Sequence, residues 1–157
     1  MANLIVLNKV SAAATYFNIL APASYANGYL ATLGTINTDG TYDCAAPSAI
    51  TDLGMVMVLA VPMDYNAEHV ENDYVIATGE TVRAIVPYVG MVVSIPTANI
   101  TAGVAIVAGK YVIPVGAAGK TTSADALGGT EAVAFIVDEV YTKSGVAMTK
   151  IRCIKAL

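Results

Sequence analysis

Short runs of valine, isoleucine, leucine, tyrosine and threonine alternate with turn-forming residues from one end of the chain to the other, and no stretch keeps the apolar spacing of an amphipathic helix. This pattern predicts strands at 3–9, 15–20, 28–36, 55–61, 81–87, 90–96, 103–107, 110–115, 131–141 and 146–154. Turn chemistry agrees. Asn27-Gly28 and Asp39-Gly40 accept tight turns, Ala108-Gly109 separates two expected strands as a hairpin requires, and Lys143-Ser144-Gly145 predicts a second hairpin. Pro62, Pro87, Pro96 and Pro114 fall at or near expected strand ends, where a missing N–H costs the ladder least. Helix is predicted only at 64–73, where Asp64 can cap, and for one turn at 123–129 between Ser123 and a glycine stop.

The expected fold class is therefore all-β, built of small sandwich- or barrel-like units with at most one or two short helices. The most polar stretch, 62–80, reads as an acidic linker or short helix. It would separate a front β-unit with an N-terminal arm (1–61) from a back β-unit (81–157), unless the whole is one continuous domain.

Composition sharpens this picture. Only 13% of the residues are charged, against a usual ~25%, and 56% are hydrophobic, against ~45–50%. Such a chain has the apolar content to build a core and too little charge for disorder. The longest apolar run, "MVMVLAVPM" at 55–63, falls short of the ~20 residues a spanning helix needs, so no membrane partner is expected. The start of the chain lacks a basic region ahead of its first apolar run and does not read as a secretory signal. Covering the apolar excess falls to other protein subunits.

Charge is unevenly distributed. Eight acidic residues and no basic one lie between Lys9 and Arg83, whereas from Arg83 onward seven basic residues face four acidic ones. That asymmetry suits contact between unlike protein surfaces, and a net charge of −4 gives no footprint for nucleic acid.

Candidate chemistry is sparse. "VGAAGKTT" at 115–122 ends like a phosphate loop, but the position of the motif's first glycine is Pro114, which has no N–H to donate. A glycine-rich loop between strands is the better reading. His69, the single histidine, sits in the acidic stretch "AEHVEND" with no nucleophile motif to serve, so no catalytic residues are assigned. Asp64, Glu68 and Glu71 would share a helix face, yet they lack the spacing that closes oxygen ligands around calcium, and a solvated acidic face is preferred over a metal site. Cys44 and Cys153 show no zinc or redox spacing and read as buried thiols. No cofactor is expected. Nine tyrosines without tryptophan suit protein interfaces better than a sugar platform.

Several segments together resemble the capsid decoration, or cement, proteins of tailed bacteriophages. They are "NGYLATLGTI", "MVMVLAVP", "DYVIATGETVRAIVPYVGMVVSI", "ITAGVAIVAGKYVIPV" and the closing "AVAFIVDEVYTKSGVAMTKIRCIKAL". The likeness runs from about residue 27 to 157 and includes "GETVRA", the glycine-opened hairpin at 103–111 and the terminal "KIRCIKA". An acidic residue usually follows the glycine matched by Gly90, and Met91 stands there in this chain. The resemblance implies a virion protein without an active site, made in the cytoplasm of a bacterial host and located on the capsid exterior. Its partners would be the major capsid protein lattice and itself, as a trimer or dimer. Another phage component (tail, baseplate or shell lattice) and a β-sandwich module binding a ligand or carbohydrate are the alternatives. Candidate contact residues are Tyr25, Tyr29 and Tyr42, expected exposed, and the basic set Lys150, Arg152 and Lys155, whose docking would weaken at high salt.

Overall fold

The computed structural model describes residues 4–60, 75–115 and 119–157. Five strands close into a barrel in the order β2-β4-β3-β5-β6. They are β2 (Tyr16–Leu20), β3 (Leu30–Ile36), β4 (Tyr42–Ala45), β5 (Met55–Val58) and β6 (Thr81–Ile85). The barrel ladders are antiparallel except for a single parallel contact, Ile19 to Tyr42, between β2 and β4.

The remaining strands form a seven-stranded sheet in the order β1-β7-β12-β11-β9-β10-β8. These are β1 (Val6–Lys9), β7 (Val92–Pro96), β8 (Ile100–Thr101), β9 (Tyr111–Pro114), β10 (Thr121–Ala124), β11 (Val133–Lys143) and β12 (Val146–Ala156). An all-β fold is what the pattern predicted, and the one helical element among the described residues is a 3-10 turn, Thr97–Asn99.

Side-chain alternation explains how the two sheets meet. A strand with one wet face alternates apolar and polar residues, whereas "MVMV" of β5 is apolar at every position. Val56 and Val58 join Ile19, Ala31, Val82 and Ala84 inside the barrel. Met55 and Met57 point the other way, into a second core shared with Val93 and Ile95 of β7, Val112 of β9, Phe135 and Val137 of β11 and Ile151 of β12. One face of the large sheet thus packs against the outside of the barrel. Its other face carries Lys150 and Arg152, paired in register with Glu139 and Ile136.

The sheets cut across the boundaries expected at 61 and 81. β1 pairs with β7 through Val6–Ser94 and Leu7–Val93, so the start of the chain belongs to the sheet built by its second half. β6, expected in the back unit, is a barrel strand flanked by β2 and β5. Part of the expected linker is also stitched to the barrel: Tyr25 bridges Ile76, and Ala21 exchanges backbone hydrogen bonds with Gly79 and Glu80. The expected helix at 64–73 lies outside the described residues.

Two local expectations are corrected. Residues 103–107 form no strand, because the N–H groups of Gly103 and Val104 are taken by the Ser123 hydroxyl, which in turn donates to the Val104 carbonyl. Those bonds replace a ladder, so Ala108-Gly109 makes a turn but no hairpin. Ser123 does not cap a helical turn at 123–129; it lies within β10, which pairs antiparallel with β9 and parallel with β8. The second predicted hairpin is present: Lys143 pairs with Val146 across Ser144 and Gly145, both with positive φ (50° and 77°).

Candidate interface surface

Tyr25 and Tyr29 were expected at the surface. They are core residues, 1% and 6% exposed, with their rings edge-on at 5.5 Å. Burial raises the pKa of both phenols, and the Tyr25 hydroxyl donates to the Leu30 carbonyl at 3.2 Å. Their aromatic area closes the barrel instead of meeting a partner. Tyr42 differs. It is half-buried and packs edge-on against Phe17 at 5.0 Å, leaving part of its ring at the barrel surface.

The basic set lies on one strand but is engaged within the chain. Lys150 pairs with Glu139 at 2.5 Å, and its ammonium also sits 5.9 Å from the Tyr141 ring centre. Arg152 grips Asp138 through Nε (3.1 and 3.2 Å) and Nη2 (3.0 Å). Asp138 reaches it because a bulge between Val137 and Glu139 puts an extra residue into β11. The hydrogen bond to Glu139 raises the Lys150 pKa, and the bond to Asp138 raises that of Arg152. Lys155 donates to the Gly129 carbonyl at 2.8 Å. Lys110 similarly pairs with Asp125. Lys150 and Arg152 tie β12 to β11 on the outer face, Lys155 and Lys110 are engaged nearby, and a partner would have to compete for them.

The phosphate-loop likeness is explained by packing. The Gly119 carbonyl accepts from the Leu30 N–H at 2.7 Å, and the residue adopts a φ of +72°. Its bare Cα lies against the Leu30 carbonyl and the Tyr25 hydroxyl, so glycine is required for the chain to touch the barrel there.

Cys153 is buried as expected, whereas Cys44 is only half-buried; burial still pushes both thiols up to about 11, far from the range of a reactive thiolate. Among the described residues no group of three or more His, Cys, Asp or Glu is placed to hold a metal ion. His69 and the Asp64, Glu68, Glu71 set lie outside the described residues. No described helix is long and apolar enough to cross a membrane. A depression of about 270 Å³ is lined by Ser11, Ala13, Ala14, Thr15, Val86 and Tyr88. The Tyr88 hydroxyl there already accepts the Ser11 N–H, so the hollow offers packing and little polar recognition.

What the described surface does offer is apolar. Ile36 and Leu53 on the barrel side and Val89 near the start of β7 are 62%, 69% and 65% exposed. Composition signalled this excess, but which residues would carry it was not readable, because Ile36 ends a strand and Leu53 and Val89 lie in the connections before β5 and β7, whose exposure is set by how those elements pack. No protein-family model matches the chain, and no curated protein matches it.

Proposed function

We propose that this chain is a structural component of a tailed-phage virion that docks on the outside of the assembled capsid and bridges neighbouring capsid subunits. The observation carrying this reading is the combination of a closed barrel and a sheet packed together through a common core with large apolar side chains left outside it, among them Ile36, Leu53 and Val89. A body of this kind holds its shape and supplies apolar contact area, which suits repeated docking on a lattice, where modest single contacts add up to avidity. The segment resemblance supplies the lattice. Because Lys150 and Arg152 are paired internally, docking rests on apolar contact more than on free charge.

Sedimentation of purified shells with this protein tests the reading. The protein is expected to pellet with shells and to remain bound in about 1 M salt, where the Debye length is near 3 Å. Electron microscopy of the decorated shells should place its density on the exterior, between capsid subunits. Failure to pellet overturns the reading, as does density confined to a tail or baseplate. A saturable thermal shift with a sugar, from a protein that ignores shells, would put a ligand-binding module in its place.

A further inference from the structure

Strand β11 is covered on only part of one side. It pairs with β9 at Phe135 and Ile136, and Val137 then exchanges hydrogen bonds with Gly109 and Lys110. Beyond Val137, among the described residues, no strand pairs with β11 on that side, although β12 pairs with it on the other as far as Lys143. The open stretch is Glu139-Val140-Tyr141-Thr142-Lys143, rich in β-branched and aromatic residues. Val140 is 42% exposed there, whereas Thr149, its partner across the ladder, is fully buried.

We propose that this edge pairs with the same edge of a second copy, antiparallel about a two-fold axis at Tyr141. Three features of the segment set the register. Val137 turns its N–H and C=O toward the β9 side, the bulge shifts the alternation by one residue, and the Lys143–Val146 pair closes the turn. The N–H and C=O groups of Val140 and Thr142 therefore point outward. Centring the axis on Tyr141 sets Val140 opposite the second copy's Thr142, and Thr142 opposite its Val140, so all four outward groups are bonded on each chain.

Charge selects the same register. It places Glu139 opposite Lys143 of the second copy and Lys143 opposite Glu139, two cross-strand pairs of opposite sign. Glu139 already holds Lys150 across the ladder, so charges alternate across the three strands of that row. Slipping the axis by one residue toward either end loses both pairs. A seam of five residues is smaller than a standard interface, so the pairing is weak in dilute solution and grows with concentration. It rests on the self-association expected of a lattice-bound protein but needs no capsid, and the purified chain tests it.

Sedimentation velocity over a concentration series is the measurement, on wild type, E139K and K143E. Wild type is expected to shift from monomer toward dimer. Each variant alone sets like charges opposite one another across the seam and should associate roughly tenfold more weakly. An equimolar mixture of the two variants restores opposite charges at both positions and should recover the dimer. Recovery on mixing supports the seam; single variants that associate as well as wild type, or a wild type that stays monomeric throughout, overturn it. A second arm guards against misfolded charge variants. Y141C lies on the axis and is expected to form a covalent dimer under mild oxidation, whereas T142C, off the axis, and wild type, whose Cys153 is buried and whose half-buried Cys44 donates to the Leu20 carbonyl away from the seam, do not. Equal cross-linking by Y141C and T142C, or none by Y141C, also overturns the seam. Mixing that restores the dimer while shells fail to bind would leave the seam standing and sink the capsid reading alone.

Discussion

A methyl group added at Gly119 would meet the Leu30 carbonyl oxygen and the Tyr25 hydroxyl at 2.5 Å, on a backbone already at positive φ. Neither the carbonyl nor the buried ring has room to move, so Gly119→Ala is expected to cost about 1–3 kcal/mol, read from a urea melt. A cost below about 0.5 kcal/mol, the level of an ordinary surface change, would mean that Gly119 does not seat on the barrel. Glu131 is a buried residue whose charge serves the local fold. Its carboxylate accepts from the N–H groups of Gly128 and Gly129 at 2.5 and 2.9 Å. Hydrogen bonds, first from its own backbone and then from Gly128, hold its pKa below the ordinary glutamate value, with the Lys155 charge contributing less. A lowered folded pKa stabilises the protein above the unfolded value, and that stability is lost as pH falls through the folded one. Thermal midpoints measured from neutral pH downward should therefore fall more steeply for wild type than for Glu131→Gln. Parallel curves would remove Glu131 from the acid response.

Ser144 and Gly145 join the two longest strands of the fold, and both hold positive φ, the conformation of a two-residue turn matched to sheet twist. Serine is an indifferent choice there, so Ser144→Asn should raise stability by about 0.5 kcal/mol, seen as a higher denaturation midpoint with an unchanged slope. This hairpin was legible in the sequence because two long alternating runs flank a short turn. β5 was legible because "MVMV" is buried on both faces. β4 was missed: "YDCA" is a four-residue strand in a polar stretch, half-exposed throughout, and only the closing barrel holds it. β8 and β10 were missed for a related reason, since two- and four-residue strands of threonine, serine and isoleucine carry no period of their own. The reverse error at 103–107 came from an apolar run whose amides are claimed by the Ser123 side chain, a contact made across the chain that no local pattern announces. Of the contact candidates, Tyr42 keeps surface area, whereas Tyr25 and Tyr29 look like any other tyrosine in a list of residues and differ only in which way the barrel closes.

The outside of the barrel and one face of the sheet share the core of Met55, Met57, Val93, Phe135 and Ile151, so neither of those faces is covered without the other, although the barrel also encloses an interior of its own. Met57→Ala, at the centre of that contact, should cost about 2–5 kcal/mol and lower one common transition followed by circular dichroism and tyrosine fluorescence. Two separated transitions would show that the halves unfold independently. The position of β1 adds a kinetic consequence. Val6 pairs with Ser94, about 90 residues later, and the five barrel strands are all translated in between. At roughly 5–20 residues per second, a ribosome delivers the mate of β1 only about 5–18 s after β1 itself. During that interval β1 and the apolar residues beside it have nothing to zip onto, which makes this stretch the natural place for a chaperone to hold.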